Sequence, residues 1–120
     1  YPSREREIEI LRARLPEIDL KLAAQIARFM EFLRAQPFEK VPGVAESLDW
    51  ALALVRLHRA ALDERTLELT HGCILKVQDD WKLLQAQRSR YSQLLSGASD
   101  DEPAAIEPDY GIGSVRARRG

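Results

Sequence analysis

The chain has a single cysteine, Cys73, no excess of charge of either sign and no long apolar run. One cysteine excludes an intrachain disulfide and fits a reducing compartment, so a cytoplasmic setting is expected. Eighteen basic residues against 19 acidic ones leave a net charge of −1, which removes any general electrostatic pull toward nucleic acid or an anionic membrane. No stretch approaches the roughly 20 apolar residues of a membrane span. The first dozen residues, dominated by Arg and Glu, do not read as a signal peptide.

Chemical motifs are equally sparse. There is no G-x-x-x-x-G-K-[ST] loop, no G-x-G-x-x-G and no G-x-S-x-G elbow. One cysteine and two histidines are too few for the usual structural zinc sites. His71 and Cys73 stand two apart, which on a helix sets them roughly 200° from each other, so they share no face. His71, Cys73 and His58, the last placed late in a helix where a cation suits the carbonyl end, read as ordinary structural residues. Carboxylate pairs occur at helical spacing: Glu5 with Glu9, Glu64 with Glu68, and Glu46 with Asp49. The first two sit among exposed charges. The third lies at a helix N-terminus, where capping and dipole compensation are the expected roles rather than acid–base work. Arg88, Arg90, Arg116, Arg118 and Arg119 are split by an acidic run and lack aromatic interleaving beyond Tyr91 and Tyr110, so a nucleic-acid partner is not expected and composition gives it little support.

What is present is helical periodicity. One hundred and twenty residues suit one domain that buries roughly 65% of its unfolded surface. The pattern predicts five helices and a tail. The first runs from about Ser3 to Leu15, with Ile8, Leu11 and Leu15 as its apolar stripe and Arg4, Glu5, Arg6, Glu7, Arg12 and Arg14 covering the rest; Pro16 ends it. Asp19 caps a second helix that runs to about Gln36 through Leu22, Ala23, Ile26, Phe29, Met30 and Leu33, and Pro37 stops it. The third spans Gly43 to Arg59, with Val44, Leu48, Ala51, Leu52 and Val55 at helical spacing and Glu46 and Asp49 in its first turns. Asp63 caps a fourth, carrying Leu67, Thr70, Cys73, Ile74 and Val77, inside which Gly72 marks either a close helix–helix contact or a break. A fifth begins at Asp79 or Asp80 and carries Trp81, Leu84, Tyr91 and Leu95 to Gly97. No segment alternates as a strand would, so the fold class is all-α, a small bundle. From Gly97 the composition turns to Asp100-Asp101-Glu102, Pro103, Pro108, Gly111 and Gly113, which predicts a helical domain over 1–96 and a flexible tail over 97–120.

The segment Val41-Pro42-Gly43-Val44-Ala45-Glu46-Ser47-Leu48-Asp49-Trp50-Ala51-Leu52-Ala53-Leu54, followed by Leu69-Thr70-His71-Gly72-Cys73-Ile74-Leu75-Lys76, resembles the lid subdomain of MoxR-type AAA+ ATPases, especially their CoxD-like branch. Tyr1-Pro2-Ser3 looks like the segment that follows the ATPase core in that family, and Ile10-Leu11-Arg12-Ala13-Arg14-Leu15-Pro16 is similar to the end of its first lid helix. The succession covers nearly all of Tyr1 to Trp81 and fades after it.

The resemblance implies a helical lid that closes over nucleotide held by an upstream core and packs between neighbouring subunits of a ring. It implies ATP and Mg as cofactors of the parent, with none in this segment, and no catalytic residue here. Its implied partners are the upstream core, neighbouring subunits and a protein with a von Willebrand A domain, the ring acting as a chaperone or metalloenzyme maturation factor. Gly43, Val44 and Glu46 would form the nucleotide-facing turn. The arginine that such lids often supply near this helix start, sensor 2, has no counterpart in Gly43-Val44-Ala45-Glu46-Ser47-Leu48. The chain also looks like a fragment of a longer protein, since it starts at Tyr1-Pro2 without a methionine. The alternative from the residues alone is a stand-alone helical module for protein–protein interaction.

Overall fold

Residues 1–95, those described by the computed structural model, form six α-helices, three opened by polar side-chain caps and two stopped before a proline. The tail predicted over 97–120 lies outside the described residues. Helix α1 (Arg4–Arg14) opens on Ser3, whose hydroxyl accepts the Arg6 amide at 3.1 Å. Glu5 and Glu7 in its first turn and Arg12 and Arg14 in its last both suit the helix dipole. Helix α2 (Leu20–Arg34) opens on Asp19, whose carboxylate accepts the Lys21 and Leu22 amides at 2.8 and 3.3 Å. Helix α3 (Val44–Arg56) begins after Pro42-Gly43. Helix α4 (Glu64–Thr70) opens on Asp63, which accepts the Thr66 amide at 2.8 Å. Helices α5 (Gln78–Gln85) and α6 (Arg88–Tyr91) follow. No strand occurs among the described residues, and none of their helices is long and apolar enough to cross a membrane.

The central helix is α2. Leu22, Ala23, Ile26, Phe29, Met30 and Leu33 are all essentially inaccessible, and Leu11, Trp50, Leu54, Leu62, Leu67, Ile74 and Leu84 close around them. Burying each large side chain of this kind contributes roughly 1.5–3 kcal/mol before chain entropy is charged against it. Trp50 also fills its one polar requirement: its indole N–H donates to Thr70 Oγ1 at 2.7 Å, and the Thr70 hydroxyl donates to the Thr66 carbonyl at 2.7 Å.

Three sequence expectations need correction. The third helix ends at Arg56, not Arg59. The Arg59 amide reaches back to the Leu54 carbonyl at 3.0 Å and the His58 amide to the Val55 carbonyl at 2.9 Å, the paired bonds of a Schellman ending. His58 takes the left-handed position of that motif, with φ of 56°, so it lies past the helix rather than within it. The fourth helix stops at Thr70 and tightens into a 3₁₀ turn over His71–Cys73. A Cβ on Gly72 would meet nothing within 4 Å, so this glycine belongs to a break and not to a close helix contact. The fifth helix is interrupted at Ala86-Gln87, where the Gln87 amide shortens its reach to the Leu84 carbonyl at 2.8 Å. Beyond the interruption Tyr91 lies edge-on to Phe29 and Phe32, with ring centroids 5.7 and 6.2 Å away.

A non-glycine residue in the left-handed region carries a steric cost of about 1–2 kcal/mol, partly returned when glycine's larger unfolded-state entropy is counted. His58→Gly is therefore expected to stabilise the domain by roughly 0.5–1 kcal/mol in urea unfolding; a loss of stability would mean that the His58 side chain makes a compensating contact.

Candidate functional site

The first turn of α3 is the segment singled out by the sequence. Pro42 is buried and Gly43 is extended, with φ −103° and ψ −164°. Glu46, three residues into the helix, turns back so that Oε1 accepts the Gly43 amide at 2.8 Å. This is the carboxylate half of a capping box, and it is the role expected for Glu46. The Ser47 hydroxyl donates to the Val44 carbonyl at 2.8 Å, and Ser47 itself is buried. Gly43, Val44 and Glu46 are half-buried and Ala45 is exposed, so the turn has an accessible side. Its charge is negative. Asp49 is exposed one turn on and does not share a hydrogen-bonding partner with Glu46 among the contacts observed; its negative charge is felt instead at Cys73.

Behind this turn sits a group that sequence reasoning misassigned. Glu7, expected on the solvated side of α1, is 1% exposed. Its two carboxylate oxygens accept Arg34 Nη1 and Nη2 at 2.5 and 2.9 Å, and Arg34 Nε donates to the Pro42 carbonyl at 3.1 Å. The Arg34 guanidinium also lies 4.7 Å from the centre of the Tyr1 ring. The missed signal was positional: Glu7 stands four residues before Leu11 and eight before Leu15, on the stripe of α1 that is buried. A second buried carboxylate is Asp80, read from the sequence as one of two starts of the fifth helix and found inside the first turn of α5. It is 3% exposed and accepts the Glu39 and Lys40 amides at 2.8 and 2.9 Å, pinning the α2–α3 connection to the start of α5.

The remaining candidates are dispersed. Glu9 pairs with Arg6 at 3.0 Å, and Glu64 pairs with Arg88. The His71 ring stacks on Trp81 at 3.8 Å with an interplanar angle of 2°, and its buried Nδ1 has no partner. Burial lowers the His71 pKa. Burial raises the Cys73 pKa, with Lys76 opposing and Asp49 adding to the shift, which leaves the thiol poorly ionised and a weak nucleophile. No group of three or more His, Cys, Asp or Glu side chains among the described residues could hold a metal ion.

A broad groove of about 670 Å³ runs between the start of α2 and the end of α3, walled by Asp19, Leu22, Val55, Arg56, His58 and Arg59. Arg59 Nε is buried there without a hydrogen-bond partner. No family model matches the chain, and neither the curated proteins nor the solved structures contain a match.

Removing the carboxylate that closes the α3 turn, as in Glu46→Ala, is expected to cost about 1 kcal/mol of stability, measured by chemical unfolding. For His71 the folded-state pKa lies below the ordinary value of 6.5, so the unfolded chain binds the proton first as pH falls. Its contribution to stability is complete above 6.5 and is lost on acidification toward the folded-state value. Unfolding free energies between about pH 7.5 and 5.5 are expected to fall less steeply in His71→Gln than in the parent chain.

Proposed function

We propose that this chain is the helical lid of a MoxR-type AAA+ ATPase, closing over nucleotide held by an upstream core and packing between subunits of a ring that acts as a chaperone or metalloenzyme maturation factor. The observation that carries the reading is the Val41-Pro42-Gly43 to Trp50 segment, whose residues and order resemble that family and whose turn is accessible on one side while Trp50 anchors it on the other. The all-helical fold supports the reading without being specific to it.

Within that reading the α3 turn contributes shape and apolar contact, not cationic charge. Glu46 occupies the helix N-terminus with a carboxylate, and no Arg or Lys stands in Gly43–Leu48 to stabilise phosphate. In this reading Val44, half-buried in the turn, is the apolar side chain that would meet a base or an adjoining core surface. On the same reading ATP and Mg belong to the parent protein, a von Willebrand A-domain partner follows from the family likeness alone, and a cytoplasmic location draws on the lone cysteine as well.

A second reading, a helical interaction module, draws on a different observation. Leu20 and Leu57 are 55% and 48% exposed, and each adjoins in sequence the residues that wall the groove between α2 and α3. This reading has Leu20 and Leu57 contribute to one protein contact surface.

The deciding experiment is ATP hydrolysis by a protein extended upstream, with and without residues 1–95. The lid reading expects hydrolysis and ring assembly to fall at least about tenfold without them, a loss of roughly 1.4 kcal/mol in transition-state stabilisation. An upstream sequence without a nucleotide-binding core, or hydrolysis indifferent to the segment, would leave the interaction module as the better reading. For the 120-residue chain alone, low-millimolar Mg-ATP is expected to leave the amide NMR spectrum unchanged. Shifts clustered at Gly43 to Asp49 would instead give this turn a nucleotide contact of its own.

A further inference from the structure

We propose that Arg34 is a positioning residue that couples the Tyr1-Pro2 segment to the first turn of α3. Its guanidinium touches three separate pieces of chain at once. The Tyr1 ring lies across it at 4.7 Å, Glu7 of α1 holds both Nη atoms, and Nε holds the Pro42 carbonyl immediately before the α3 cap. The Arg34 and Glu7 side chains are 7% and 2% exposed, so this junction is shielded from water and its hydrogen bonds are directional.

Tyr1, by contrast, is 76% exposed and rests over a cavity of about 120 Å³ walled by Arg4, Ala27, Glu31 and Arg34. The ring is therefore open to solvent and borders this cavity, while the charge that it covers is fixed to the α3 turn. Displacing Tyr1-Pro2 uncovers the guanidinium, weakens the planar alignment that Glu7 and Pro42 share, and loosens the Gly43–Glu46 cap. The coupled turn is the one proposed to face nucleotide, so the functional consequence rests on the lid reading; the coupling itself does not.

The test uses the 120-residue chain without nucleotide, so it can fail while the ATPase assay succeeds, and the reverse. Amide hydrogen exchange and chemical shifts are followed in Tyr1→Leu and Tyr1→Phe. Tyr1→Leu keeps an apolar side chain but has no π-face. It is expected to speed exchange at Gly43 and Ser47 about two- to fivefold, the range available from an exposed cation–π contact, while Tyr1→Phe restores the parent rates. The Glu39 and Lys40 amides, held by Asp80, serve as the control and are expected to stay unchanged. In an Arg34→Lys background, which keeps the charge but loses the planar fork, Tyr1→Leu is expected to have no further effect at Gly43. Unchanged exchange at Gly43 and Ser47, equal acceleration at the control amides, or an undiminished Tyr1→Leu effect in the Arg34→Lys background would each overturn the proposal. The two Tyr1 variants alone suffice if Arg34→Lys does not fold, because Tyr1 is exposed and neither substitution touches the core.

Discussion

The Glu7–Arg34 pair is the constraint around which the bundle is arranged. Two opposite charges withdrawn from water are tolerated only when their geometry is bidentate and their remaining polar atoms are satisfied. Here both carboxylate oxygens are used, and the third guanidinium nitrogen finds a backbone carbonyl. That requirement fixes the end of α2 relative to the first half of α1 and holds Pro42 in place, which in turn decides where α3 can begin. An apolar substitute could fill the same volume, but it could not specify three chain segments with one planar group. Removing only one partner would leave a buried charge unmatched, typically a cost of about 3–5 kcal/mol in comparable sites.

A second buried carboxylate, Asp80, holds the middle of the α2–α3 connection, just before the Pro42 carbonyl that Arg34 holds. Asp80 gathers the Glu39 and Lys40 amides, so the loop is held from both sides before it enters α3. Glu39 and Lys40 are exposed residues, yet their amides are paired with a buried carboxylate about forty residues away, which supplies what local structure does not. The α3 turn is thus a firmly supported piece of backbone with an accessible flank, a combination suited to presenting a surface to a partner or ligand.

Much of this bundle was legible in the sequence because its boundaries are local. Ser3, Asp19 and Asp63 cap helices through their own side chains, Glu46 reaches only three residues back, and Pro16 and Pro37 stop helices by covalent geometry. The apolar stripe of α2 needs nothing beyond its period. What escaped the sequence is what depends on distant partners. Glu7 looks like one more charge in an Arg/Glu run until Arg34 is beside it. The fourth helix, which the sequence carries to Val77 with Gly72 as either a close contact or a break, stops where Thr70 serves Trp50, and the break at Ala86-Gln87 precedes the packing of Tyr91 on Phe29. Those are tertiary demands overriding a continuous local pattern. The candidate site divides in the same way. The capping role of Glu46 is readable from its position, whereas Arg34's hold on Pro42 is not.

The two tryptophans occupy opposite kinds of environment. Trp50 is sealed in the core with its N–H committed to Thr70, and Trp81 is partly open with an imidazole laid flat on its face. Intrinsic fluorescence therefore carries two distinguishable signals in this small domain, although Trp81 also packs against the core. The Trp50 emission follows disruption of the packed interior, while the Trp81 emission follows the ionisation of His71 and the integrity of the 3₁₀ turn, because a protonated imidazole in stacking contact quenches an indole that a neutral one leaves bright. Single-tryptophan variants turn the chain into its own pair of reporters, one for the whole fold and one for the corner between α4 and α5.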